Sequence, residues 1–168
     1  MSQPGHSDPL FCNGTLISSA ETKAEMIART VWFGSFKRAH VEALPDYLKG
    51  YTVSKGQTVF EQGSKESYLC VVAEGAVEVS MSGKLLAKFD SGRSFGEMSL
   101  LDGLNRSATA VATADTELFI MMRDDFARVR ENDPELAFTF LNKIARLLSV
   151  RLRNTDNRLV EFLDDVAE

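Results

Sequence analysis

Phe95-Gly-Glu-Met-Ser-Leu-Leu-Asp-Gly-Leu-Asn-Arg-Ser-Ala-Thr109 is the stretch on which the reading of this chain turns. A Gly-Glu pair, a short apolar turn and an Arg-Ser pair lie at a fixed spacing between two strand-like segments. A short helix opening after Gly96 offers free backbone N–H groups and the positive end of its dipole. Arg106 adds a planar, permanently charged donor fork suited to a phosphate. Glu97 is an acceptor for hydroxyl groups. The pattern suits a small ligand that carries both an anion and hydroxyls.

The segment resembles the phosphate-binding cassette of the cyclic nucleotide-binding domain family. The usual pattern there is Phe-Gly-Glu-Leu-Ala-Leu, a few variable residues, then Pro-Arg-Ala-Ala-Thr. This chain has Phe95, Gly96, Glu97, Met98, Ser99, Leu100 and Leu101, then Arg106, Ser107, Ala108 and Thr109. It departs at Asn105, where Pro is usual, and at Ser99, where Ala is usual. The resemblance implies that Arg106 holds the phosphate and Glu97 the ribose 2′-hydroxyl. Phe95 and Gly96 shape the turn, and Met98 and Ser99 contribute backbone N–H groups, with secondary side chains. Ser107 and Ala108 complete the site. Ser at 107 is common in cAMP binders, whereas Thr often accompanies cGMP, so cAMP is the expected ligand ahead of cGMP.

The 168 residues are 44 % apolar and 26 % charged, ordinary for a globular chain able to bury its own core. The net charge of −5 gives no bulk attraction to nucleic acid or to an anionic membrane surface. The two cysteines, Cys12 and Cys70, do not suggest a disulfide framework. No signal peptide and no run of 18 apolar residues is read, so the expected location is cytoplasmic. Two glycosylation sequons, at Asn13 and Asn105, are then chance matches.

Three segments are expected. Residues 1–17, rich in Ser, Gly, Pro and Asn, read as a flexible tail. Residues 18–133 read as the binding domain with N-terminal helices. A helix is expected over 18–29, followed by an apolar cluster of Phe33, Phe36, Val41, Leu44, Tyr47 and Leu48 that packs against a barrel. From Tyr51 the period changes to that of strands, at 51–54, 57–61, 68–74, 76–80, 85–89, 108–112 and 116–122, punctuated by turn residues. Gly56, Gly63 and Gly75 fall where tight turns need positive φ. The fold expected is α+β, a β-jelly-roll barrel of about eight strands flanked by N-terminal helices and a long C-terminal helix. Val72 and Val79 read as barrel-wall core. A helix over 123–131 turns Phe126 and Val129 inward.

Residues 134–168 read as that long helix, with Asp133 as N-cap and Pro134 at the first position. Its apolar seam is Leu141, Ile144, Leu148, Leu152, Thr155, Leu159, Phe162 and Val166, close to a heptad repeat. The simplest partner for the distal half is a second copy, giving a parallel homodimer. In the catabolite activator protein a matching Thr helps contact the base; the resemblance implies that role for Thr155, with Arg153 or Asn154 as neighbours. Arg146, Arg151, Arg153 and Arg158 alternate with acids and read as a solvated face rather than a nucleic-acid surface. No helix-turn-helix is read after the long helix.

The leading expectation is a non-catalytic cyclic-nucleotide sensor acting through this helix on an effector protein that the sequence does not identify. A jelly-roll enzyme would need metal ligands on its strands, but His6 and His40 both precede them, so neither metal nor catalysis is expected. The remaining alternative is a ligand-independent interaction module or regulator fragment that uses the barrel as scaffold.

Overall fold

Tyr68 to Val72 are buried without interruption, because this strand has a neighbour on each side in a sheet covered on both faces. The computed structural model describes residues 14–167. Their strands are β1 (Thr15–Ile17), β2 (Lys49–Val53), β3 (Thr58–Phe60), β4 (Tyr68–Glu74), β5 (Ala76–Met81), β6 (Lys84–Asp90), β7 (Ser94–Phe95), β8 (Thr109–Ala112) and β9 (Thr116–Met122). The helices are α1 (Ala20–Arg29), α2 (Arg38–Ala43), α3 (Glu97–Asp102), α4 (Arg123–Asn132) and α5 (Pro134–Ala167). One sheet runs β1-β2-β9-β4-β7 and the other β3-β8-β5-β6. Every pairing is antiparallel. Consecutive strands β2 and β3 fall in different sheets, and so do β4 and β5, which is the interleaving of a jelly roll. The fold is therefore α+β, as expected, with nine strands among the described residues.

Two strands escaped the sequence pattern. β1 lies within the segment expected to be a flexible tail; it pairs Thr15 with Thr52 and Ile17 with Gly50. Three mostly exposed residues that add to a sheet edge through backbone bonds show no alternation to read. β7 has two residues, too short for any period. Residues 1–13, which include Cys12, His6 and Asn13 of the first sequon, lie outside the described residues, as does Glu168.

The inward faces of the two sheets meet through Tyr51, Val53, Tyr68, Cys70, Val72, Val77, Phe95, Leu118 and Ile120, all in one buried cluster. Residues two apart share a face, so β4 sends Tyr68, Cys70 and Val72 inward. Val79 packs against this cluster, and both valines read as core are core. The opposite face of the first sheet carries Phe119, whose ring lies 6.0 Å from Phe33. Trp32 and Phe36 extend that aromatic group, and Leu44 and Leu48 are buried beside it in sequence. α1 starts where expected: Ser19 caps it by accepting from the Thr22 amide.

Val129 to Glu168 form a separate compact unit. α5 spans 34 residues, about 50 Å at 1.5 Å per residue. The Leu136 amide donates to the Asp133 carboxylate at 2.9 Å, the expected cap. Leu136, Phe140 and Ile144 are buried, whereas Leu152, Leu159, Phe162 and Val166 are more than half exposed.

Two consequences are measurable. Gly75, between β4 and β5, has φ +91°, and a Cβ there would lie 2.5 Å from the Asp115 carbonyl oxygen. Gly75→Ala should cost about 1–3 kcal/mol of unfolding free energy in urea melts. Cys70 is fully buried, which pushes its thiol from an ordinary 9.0 up to about 12, with Arg106 opposing and Glu97 adding. The folded chain then holds a proton that the unfolded chain releases first. Stability should be intact below pH 9 and fall as pH rises toward 12, and Cys70→Ala should remove part of that slope.

Candidate functional site

The cassette occupies β7, α3 and the turn into β8, and its charge is set by Arg106. That side chain is only 3 % exposed. Its guanidinium lies between two aromatic rings, with Cζ 3.9 Å from the Phe60 centroid and 4.1 Å from the Tyr68 centroid. Each ring face attracts the cation, by up to about 2 kcal/mol where water is excluded. Nη1 donates to the Gly96 carbonyl at 2.9 Å and to the Ser99 hydroxyl at 2.6 Å, and Nη2 donates to the Tyr68 carbonyl at 2.9 Å. The backbone of Arg106 is fixed as well: its amide donates to the Ser64 carbonyl, and its carbonyl accepts from the Gly63 amide.

Gly96 makes this approach possible. It has φ +77°, and a Cβ there would lie 2.8 Å from Arg106 Nη1 and 3.1 Å from the Tyr68 carbonyl oxygen. Both the left-handed backbone and the missing side chain are needed, one for the turn into α3 and the other for the guanidinium. Phe95 is buried, its ring 5.8 Å from Phe60 and 5.3 Å from Phe89. Glu97, in the first turn of α3, is 5 % exposed. The site therefore keeps a cation and a carboxyl group in the wall of the barrel, where electrostatic interactions are weakly screened.

Of the residues expected in the site, Phe95, Glu97, Ser99, Arg106 and Ala108 are buried in or beside the cassette, and Gly96 is half-buried. Met98 and Ser107 are on the same segment and exposed. Thr155 and Arg153 lie on α5, in the second compact unit. Both are exposed; the Thr155 hydroxyl donates to the Arg151 carbonyl at 3.0 Å, and Arg153 Nη2 donates to the Ser149 hydroxyl at 3.2 Å.

The Ser99 hydroxyl makes the shortest of the three bonds to the Arg106 guanidinium. Three residues apart on one turn, Ser99 and Gly96 present their oxygens to the same nitrogen. Phe60 and Tyr68 were missed as site residues. Their strand positions mark them as core, and no spacing rule says that a buried ring will face an arginine some 40 residues away.

A cyclic nucleotide is tested against this arrangement by its donors. Arg106 Nε is buried and has no hydrogen-bond acceptor. A buried donor without an acceptor is uncommon and costs about 1–3 kcal/mol. An anionic oxygen is the acceptor such a group fits, so the residues present suit a phosphate. Among the described residues, no group of three or more His, Cys, Asp or Glu is placed to hold a metal ion.

Comparison with known proteins agrees with the geometry. Residues 52–133 match the family model of the cyclic nucleotide-binding domain. The chain is similar to the cyclic AMP receptor protein of Thermus thermophilus, 36 % identical over 124 residues, which cover 71 % of this chain and 56 % of that protein. It is 32 % identical to a cGMP-dependent protein kinase of Toxoplasma gondii over 80 residues, 48 % of this chain and 8 % of the kinase. The chain thus spans little more than half of one relative and a small part of the other. Among solved structures, a cyclic nucleotide-binding domain from Methylobacillus flagellatus superposes with a TM-score of 0.73 at 26 % identity, covering 88 % of each chain. The cassette, the jelly roll around it and these matches make residues 52–133 of the chain a cyclic nucleotide-binding domain.

Proposed function

We propose that this chain is a non-catalytic sensor of a cyclic nucleotide, cAMP in preference to cGMP, and that it passes ligand occupancy to its long helix α5. The observation that carries the reading is the buried guanidinium of Arg106, bonded to the Gly96 carbonyl in a cassette whose next residue is the buried Glu97. Arg106 would meet the phosphate and Glu97 the ribose hydroxyl, with the opening amides of α3 adding donors. Ser107 in place of Thr favours cAMP. The similarity to a cyclic AMP receptor protein points the same way, while the similarity to a cGMP-dependent kinase keeps cGMP as the comparison ligand. Thr155 and Arg153 are the proposed base contacts.

The output would be a change in how α5 packs. From Leu152 onward its seam is exposed in the single chain. A second copy, laid parallel along the seam, would cover Leu152, Leu159, Phe162 and Val166. The homodimer is the signalling unit of this proposal, located in the cytoplasm, and its effector is a further protein. No helix among the described residues is long and apolar enough to cross a membrane.

One observation favours a second reading. Arg106 is enclosed by the chain's own groups, as it would be in a ligand-independent interaction module that keeps the cassette for structure alone. Calorimetry separates the two. Under the sensor reading, cAMP gives saturable heat and binds more tightly than cGMP, and excess cAMP raises the melting temperature. Arg106→Lys keeps the charge but loses the fork, and should weaken cAMP binding by about tenfold or more. Absence of heat at millimolar cAMP and cGMP, in a sample that melts cooperatively, selects the interaction module. For the helix, sedimentation should show a dimer, and Leu152→Glu with Leu159→Glu should yield a folded monomer; a monomeric wild type at high micromolar concentration removes the dimer.

A further inference from the structure

A guanidinium has five N–H donors. In Arg106 three are engaged by the chain itself, on the Gly96 carbonyl, the Ser99 hydroxyl and the Tyr68 carbonyl. Only one of these acceptors comes from a side chain. Ser99 is 3 % exposed, and its hydroxyl also lies 3.4 Å from the Gly96 carbonyl oxygen as a weak donor. Gly96 O, Ser99 Oγ and Arg106 Nη1 form a closed triangle at the first turn of α3. The rings of Phe60 and Tyr68 cover the two faces of the cation, and Nε, one of the two donors left over, is buried without an acceptor. The arginine is thus enclosed in the barrel wall by three bonds, one of which Ala, usual at this place in the cassette, is unable to make.

We propose that Ser99 is a positioning residue that latches Arg106 in the barrel wall and thereby lowers the affinity of this chain for a phosphate ligand. The affinity role rests on the cyclic-nucleotide reading; the latch itself does not. A neutral hydroxyl and an anionic oxygen compete for the same N–H. Each increment of stability in the enclosed arrangement reduces the fraction of molecules ready to bind, and the apparent affinity falls by that fraction. The Ser99 hydroxyl would then adjust sensitivity through Arg106 rather than by touching the ligand itself. The two carbonyl bonds are backbone features that no substitution at these positions deletes, so Ser99 is the point at which the latch can be changed.

The test compares wild type, Ser99→Ala and Ser99→Thr, first without nucleotide and then with cAMP. In the ligand-free proteins, ¹⁵N spectra report rotation of the Arg106 Nη groups. Separate, slowly exchanging signals are expected in wild type and Ser99→Thr, and merged signals in Ser99→Ala. Calorimetry should show cAMP binding about fivefold more tightly to Ser99→Ala, the size of one neutral hydrogen bond, with Ser99→Thr at the wild-type value. Ala is a better helix former than Ser, so loss of the hydroxyl should leave α3 folded. Freely rotating Nη groups in wild type overturn the latch. Equal or weaker cAMP binding by Ser99→Ala overturns the affinity role. No cAMP binding by any of the three refutes the sensor reading and the affinity role together, while restrained signals lost only in Ser99→Ala would still establish the latch.

Discussion

A single cation kept out of water organises the centre of this protein. Burying an unpaired charge is among the most costly things a fold can do, and Arg106 is nearly fully buried. Its surroundings follow from that cost. Two carbonyl oxygens and a hydroxyl accept its protons, and two aromatic faces take its sides. Each contact is modest alone. Together they come from β3, β4 and the start of α3, so the cassette is stitched to both sheets by one side chain.

The jelly-roll interleaving is what permits this meeting. β3 belongs to one sheet, β4 and β7 to the other, and Phe60 and Tyr68 approach edge to face across the interior, 6.0 Å apart. Gly96 leaves the volume into which the guanidinium fits. A longer residue there would displace the cation, and a smaller residue at 60 or 68 would leave it half solvated. The site is therefore sensitive to core residues that no ligand touches.

The same enclosure bears on function. A cation held by its own chain at three donors keeps its place without ligand, so a ligand competing for those donors must offer more than the groups it replaces. Phosphate does, because a charged acceptor bonds more strongly than a neutral one. The second compact unit has the complementary property. α5 buries Leu136, Phe140 and Ile144 and from Leu152 onward exposes its apolar seam, which the proposed second copy would cover. A sensor needs both features: a site that is closed but can be competed for, and an output element whose packing is not complete within one chain.

Much of this was legible in the residues. β4 and β9 have the bounds that apolar runs and turn glycines indicate, and the Asp133-Pro134 start of α5 follows from capping rules. Gly96, Glu97 and Arg106 announce themselves by type and spacing, because an anion site needs a turn, a helix start and a fork in that order. β1 and β7 were not legible, since so few residues carry no period. Nor were the partners of Arg106. The sequence by itself determined that an arginine of the right kind would stand at the right place in a jelly roll. Only the tertiary structure decided that Phe60, Tyr68 and the Ser99 hydroxyl would surround it, because contacts between residues seven to forty-six positions apart depend on how two sheets close on each other and not on local preference.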